Sequence, residues 1–227
     1  YNVPQRGISV IIPCYNEAPI LKYTIEGVLN IEYSNMEVIF INDGSTDDTF
    51  EVLDNLLDLH IWNEKADISL STKVREIYKS SKHPFIYVID KYNSGKADSL
   101  NIGVAFARKE IIVTMDGDCV LEKSALANMN VIFDDEDVIA AGGVVHIMQM
   151  FKLNRRPSRI VVMQALDYIK GFYIYKASLA YNKALNIISG AFGAFRKSVI
   201  DEIGGFKKGL GEDIDITIRL QEYAHKN

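Results

Sequence analysis

The sequence predicts an α/β protein with a mostly parallel central sheet and helices on both faces. Two observations carry this. Short β-branched runs alternate with helical segments between residues 8 and 116, the signature of crossover units. Three of those runs end in or just before polar residues: Tyr15-Asn16-Glu17, Asn42-Asp43 and Asp116-Gly117-Asp118. Ligands of open α/β sheets sit at the carboxyl ends of the strands, so these clusters point to a site.

The elements follow in order. "ISVIIP" (8–13) is a buried strand, and "CYNEAPILKYTIEGVLN" continues as a helix. There Ile20, Leu21, Thr24, Ile25, Val28 and Leu29 share one face, and Pro19 suits a first helical turn. "MEVIFIND" (36–43) is the second strand. "STDDTFEVLDNLL" is a helix that Ser45 and Asp48 open at capping-box spacing. "FIYVID" (85–90) is the third strand, "GKADSLNIGVAFA" a helix, and "EIIVTMD" (110–116) the fourth strand. Residues 60–82 read as a charged surface excursion. Beyond Asp118 the pattern changes. "VIAAGGVVHIMQM" (138–150) is strand-like, 152–159 is a basic break, and an aromatic helical stretch covers 160–185. "GEDIDITIRLQEYAHK" is a last helix.

Composition narrows the function. A chain of 227 residues, 48% hydrophobic and 24% charged, buries an ordinary core. Its net charge of -5 argues against a nucleic-acid partner, which calls for a basic stripe. Cys14 and Cys119 lie far apart, match no zinc spacing and suit a reducing, cytoplasmic setting. No run approaches the roughly 18 apolar residues of a spanning helix. A start without Met and an end inside a helix suggest an excised domain, with any membrane span outside it.

The acids are weighed against bland alternatives. Residues i and i+2 of an extended segment point the same way, so Asp116 and Asp118 can hold one hard cation such as Mg²⁺ or Mn²⁺. Asp-x-Asp alone is a common turn; its place after the fourth strand, with Asp43 on a neighbouring strand end, favours the metal. Gly95-Lys96 is not a Walker loop, because the glycine five before Lys96 and the following Ser or Thr are missing. "DGSTDDTF" is no EF-hand, since Asp48 stands where the turn glycine must be. Glu212 and Asp213, at a helix start, read equally as dipole-complementing acids or as a general base. Asp215 and Arg219 form an ordinary i,i+4 pair. His146 reads as structural, the two cysteines as packed small hydrophobes, and Tyr168, Phe172, Tyr173, Tyr175 and Tyr181 as mostly core, with a carbohydrate- or membrane-facing role as the minority reading.

In combination, "SVIIPCYNEAPILKYTIEGVLN", "VIFINDGSTDDT", "NSGKADSLNIG", "IIVTMDGDCV", "SGAFGAFRKSVIDEIGGF" and "GEDIDITIRLQ" resemble, in this order, family-2 inverting glycosyltransferases. The resemblance is greatest to membrane synthases of β-linked polysaccharides such as poly-N-acetylglucosamine, hyaluronan, chitin and cellulose. It implies the GT-A fold, a Rossmann-like sheet, with a UDP-sugar donor, a carbohydrate or lipid-linked acceptor, and Mg²⁺ or Mn²⁺. It implies that Pro13, Tyr15 and Glu17 line the nucleotide pocket and that Asp43 hydrogen-bonds the uracil. Lys96 and Asp98 fall near the nucleotide and donor, Asp116 near ribose and metal, Asp118 on the metal, and Asp213 is the base. Residues 1–118 would form the nucleotide-sugar half and 119–227 the acceptor half of one domain. Gly117 replaces the alanine of many relatives, and the Gln-x-x-Arg-Trp motif of processive members is absent before the chain ends. Two rivals are a sugar nucleotidylyltransferase, which would carry a glycine-rich basic loop where "CYNEAP" stands, and a binding module without catalysis.

Overall fold

The computed structural model describes residues 3–63, 74–151, 156–182, 184–209 and 211–226. The sheet is built from β1 (Ile8–Cys14), β2 (Met36–Asp43), β3 (Leu59–Ile61), β4 (Val74–Ser80), β5 (Ile86–Lys91), β6 (Ile111–Thr114), β7 (Ala140–Gly142) and β8 (Gly193–Arg196), in the order β3-β4-β5-β2-β1-β6-β8-β7. The central four strands, β5-β2-β1-β6, are parallel. The outer strands join them antiparallel on both sides. β1 and β2 are buried along almost their whole length, as strands covered on both faces must be.

Alternation along β1 divides the core. Ile8, Val10 and Ile12 pack with Leu21, Ile25 and Val28 of α1 (Ala18–Leu29) and with Leu53 and Leu57 of α2 (Thr49–Leu57). Ile11 faces the other way, against Leu100 and Val104 of α3 (Lys96–Phe106). The second half adds α4 (Ala125–Ile132), α5 (Arg159–Ile169), a π-helical segment Lys170–Lys176, α6 (Ala177–Tyr181), α7 (Lys197–Glu202) and α8 (Glu212–Lys226). Ile216 and Leu220 bring α8 onto the α3 face.

Several expectations are corrected. The Ser45–Asp48 capping box does not form: the Ser45 hydroxyl accepts from the Asn16 amide (3.1 Å), and α2 starts at Thr49, whose amide donates to Asp47 Oδ1 (3.0 Å). The expected surface excursion contains β3 and β4, which extend the sheet as an antiparallel edge; residues 64–73 lie outside the described residues. The strand expected over 138–150 shrinks to Ala140–Gly142, followed by a short 3₁₀ turn at Met148–Phe151. Part of the basic break, 152–155, also lies outside them. The aromatic set is not core. Tyr173, Tyr175 and Tyr181 are exposed, the last at 90%, because this stretch lies outside both core clusters. Among the described residues no helix is long and apolar enough to cross a membrane.

Candidate active site

Parallel strands that end together create the site. Pro13 lies near the end of β1, Tyr15 and Glu17 follow it, Asp43 ends β2, and Asp116 and Asp118 follow β6. With Lys96, Cys14 and Gly117 they line one cleft of about 250 Å³. Seven of the nine residues expected from the sequence therefore meet at one place. Asp98 and Asp213 are not on its lining.

The loops above β1 and β2 are tied together. The Glu17 amide donates to Thr49 Oγ1 (2.9 Å), and the Ala18 amide donates to Asp47 Oδ2 (3.2 Å). α1 reaches across to the acidic turn, where Thr24 Oγ1 donates to the Gly117 carbonyl (2.7 Å). These bonds join backbone to buried or half-buried groups and hold the rim in one shape.

Asp43 is 4% exposed and well partnered. Its carboxylate pairs with the fully buried Lys91, its register neighbour on β5. The Ser94 and Gly95 amides donate to Oδ1 and Oδ2, each at 2.9 Å. Gly95 adopts φ 95°, a conformation that suits glycine, which lets its amide turn toward the carboxylate. Asp98, in the first turn of α3, also accepts from Ser94 Oγ and lies 3.4 Å from Lys91 Nζ. Asp98 thus braces this loop behind the cleft. Sequence reasoning missed Lys91; the signal was its register opposite Asp43 once β2 and β5 are read as parallel neighbours.

Lys96 links the donor side to α8. Its ammonium lies 2.7 Å from Asp116 Oδ1 and 3.5 Å from Glu212 Oε1. Burial disfavours the ammonium, yet Asp116, Asp213 and Glu212 together hold its pKa above the ordinary lysine value. Asp213, next to Glu212, accepts from the Gly190 amide at 2.8 Å. A Cβ on Gly190 would stand 2.6 Å from Asp213 Oδ1, so a side chain there would push the Asp213 carboxylate from this position. Burial pushes the Asp213 carboxyl above the usual aspartate range, against the opposing pull of the Gly190 amide and Lys96. Asp215 and Arg219 form the expected i,i+4 pair (2.6 Å), an ordinary helix contact.

The acidic turn suits a divalent ion. Asp116, Asp118 and Cys119 each bring a ligand atom within 4.8 Å of the others. Two carboxylates with open space beside them match the ligand set of Mg²⁺ or Mn²⁺, which complete their shells with water and phosphate. Burial, and then repulsion from Asp118 and Asp116, raise the carboxyl pKa of Glu17. The turn therefore carries surplus negative charge that a cation would relieve. Cys14 is buried, as expected of a packed hydrophobe. Cys119 is half-buried, packed against the core beside the two aspartates, and burial there pushes its thiol up to about 12. His146 is exposed and lies 3.2 Å, Nε2 to hydroxyl, from Tyr173.

Comparison with known proteins gives the chain's relatives. The chain is 28% identical over 223 residues to a poly-β-1,6-N-acetyl-D-glucosamine synthase of Staphylococcus epidermidis, covering 97% of this chain and 47% of that protein. The corresponding synthase of Staphylococcus aureus strain COL is 27% identical over 216 residues, with 95% and 46% covered. The chain thus spans about half the length of these relatives. Among solved structures, the mannosyltransferase PcManGT from Pyrobaculum calidifontis, in complex with GDP-Man and Mn²⁺, superposes with TM-score 0.65 at 22% identity, over 93% of this chain and 50% of that one. TarS residues 1–349 from S. aureus, in complex with UDP-GlcNAc, gives TM-score 0.58 at 16% identity, over 94% and 52%. The architecture is that of the GT-A glycosyltransferases. The description of glycosyl transferase family 2 matches residues 9–204, and the chain belongs to that family.

Proposed function

We propose that this chain is the catalytic domain of an inverting glycosyltransferase. It moves a hexose or N-acetylhexosamine from a UDP-sugar to a hydroxyl of a carbohydrate or lipid-linked acceptor during polysaccharide synthesis. The observation that carries the reading is the Asp116–Lys96–Glu212 bridge, which sets a cation-binding turn beside a half-buried acid, Asp213. The similarity to poly-N-acetylglucosamine synthases supports the reaction class.

Pro13, Tyr15 and Glu17 hold the nucleotide, and Asp43 accepts from the uracil with a lone pair that Ser94 and Gly95 leave over. The acceptor hydroxyl attacks the anomeric carbon as its bond to the diphosphate oxygen breaks, and the bonding pair leaves with UDP. Asp213 takes the hydroxyl proton, for which its raised pKa suits it. Lys96 exchanges part of its contact with Asp116 for the departing diphosphate. When bound to Asp118 and Asp116, a divalent cation supplies charge stabilisation for that leaving group.

We also propose that the domain works at a membrane within a longer synthase. Ile160, Met163, Leu166, Ile169, Tyr173 and Ile174 are all at least 46% exposed on consecutive turns of α5 and the π segment. An apolar helical face of this kind suits a lipid interface.

The test is a donor screen. The purified domain is given UDP-glucose, UDP-N-acetylglucosamine, UDP-galactose, UDP-glucuronate or GDP-mannose, in Mn²⁺ or in EDTA, and nucleotide release is followed. Release from one UDP-sugar in Mn²⁺ is the expected result. Donor binding without turnover would favour the binding-module reading, and pyrophosphate-dependent conversion of a UDP-sugar to UTP and sugar 1-phosphate would favour the nucleotidylyltransferase.

A further inference from the structure

Lys96 stands between two acids from different parts of the fold. Its ammonium is 2.7 Å from Asp116 Oδ1, in the turn after β6, and 3.5 Å from Glu212 Oε1, at the start of α8. Lys96 lines the same cleft as Asp116 and Asp118, the pair suited to a divalent cation. Of the three bridged residues, Glu212 alone has no part in the proposed transfer.

The backbones that carry the two acids are fixed. The Cys119 amide donates to the Asp116 carbonyl (3.1 Å), and Thr24 Oγ1 ties Gly117 to α1. In α8 the Asp215 amide donates to the Gly211 carbonyl (3.1 Å), and Ile216 is buried. Thr217 Oγ1 accepts from the Ile188 amide (2.9 Å) and donates to the Asp213 carbonyl (2.6 Å). Lys96, by contrast, carries its charge on a flexible four-carbon stem. Its ammonium can shift between Asp116 and Glu212 while both backbones stay in place.

Such a shift has a cause. The ammonium sits on an oxygen that a hard cation would take as ligand, and like charges repel at that range. Lys96 must therefore leave Asp116 when a cation binds there, and the cost depends on where its charge goes. Asp213 also attracts it. That carboxylate already accepts from the Gly190 amide, and an ammonium resting on it would occupy the base. Glu212 offers a carboxylate within reach that the transfer does not need.

We propose that Glu212 is a positioning residue for Lys96: it receives the ammonium displaced from Asp116 and so makes room for the cation. This rests on the metal-dependent glycosyl-transfer reading and adds the residue that couples the cation site to α8.

The test is a double-mutant cycle on Mn²⁺ affinity, read by electron paramagnetic resonance of the free ion with the domain saturated in UDP. Glu212→Gln keeps the shape and removes the charge. It should weaken Mn²⁺ binding roughly fivefold or more, the range of coupled sites. In a Lys96→Met background the same change should cost less than about twofold, as for independent positions, because no ammonium has to be received. Without UDP, Lys96→Met alone should bind Mn²⁺ more tightly than wild type. An equal loss in both backgrounds would make Glu212 one more nearby negative charge and overturn the proposal. No loss in either background would overturn it too, as would weaker Mn²⁺ binding in UDP-free Lys96→Met. A wild type that binds UDP but no Mn²⁺ would instead remove the metal reading beneath it.

Discussion

Asp43 and Lys176 show how differently two regions of this molecule are made. Asp43 sits at 4% exposure between a buried lysine and two backbone amides, at the end of a central strand. Lys176 lies on an irregular helical segment whose neighbours Tyr173, Ile174 and Tyr175 face outward. The cleft is fixed by the sheet that also stabilises the protein, so changes there cost folding energy. The π segment hangs from the fold with little core beneath it, so changes there should spare stability.

The sharpest way to break that contrast is Asp43→Ala. It leaves the Lys91 ammonium buried and without its nearest counter-charge, with Asp98 as the remaining acid at 3.4 Å. Loss of one partner from a buried pair costs about 3–5 kcal/mol, so chemical denaturation should show a loss of that order. UDP binding should weaken in EDTA as well as in Mn²⁺. The double variant Asp43→Leu with Lys91→Met should regain most of the stability but not the nucleotide affinity. Full stability in Asp43→Ala would mean that the pair is not part of the framework.

Asp118→Ala is a milder change, because the side chain is exposed. Stability should shift by no more than about 0.5 kcal/mol, the usual surface range. The gain in UDP affinity that Mn²⁺ gives wild type, expected on the order of tenfold (~1.4 kcal/mol), should vanish. Equal UDP affinity in Mn²⁺ and EDTA for wild type would show that the turn holds no cation.

The smallest folding effect belongs to the exposed helix face. Ile160→Ser with Met163→Ser should leave the denaturation midpoint within a few tenths of a kcal/mol. Co-sedimentation with vesicles of phosphatidylcholine and phosphatidylglycerol should nevertheless fall. Vesicle binding that survives the change would detach this face from the membrane proposal.

Much of the donor side was legible because two periodicities were clean. Buried β-branched runs located β1, β2, β5 and β6, polar residues at their ends located Tyr15, Glu17, Asp43, Asp116 and Asp118, and the family resemblance added Pro13. β4 escaped because "VREIYKS" mixes charged and apolar residues without a clean period, and such a run also reads as surface. The aromatic set misled because apolar residues at helical spacing look the same whether they face a core or the outside. Lys91 and Gly190 were invisible for another reason: each matters through a partner distant in sequence, Asp43 and Asp213, and only the register and the close approach reveal it.

Asp213 joins the two halves, and its ionisation gives a signed expectation. Burial raises its pKa in the folded state, so ionising it costs folding energy, and stability declines as pH climbs from the unfolded value through the folded one. The base must be ionised to work, so the acid limb of kcat/KM should lie above the ordinary aspartate pKa. The decisive measurement compares wild type with Asp213→Asn on two readouts: UDP affinity, and UDP release from the accepted donor with its acceptor in Mn²⁺. Expected for Asp213→Asn are unchanged affinity, no loss of stability at neutral pH and a fall in kcat of roughly 10²-fold or more, the scale of general-base loss. Turnover equal to wild type would contradict this and return Asp213 to the role of a helix-end acid.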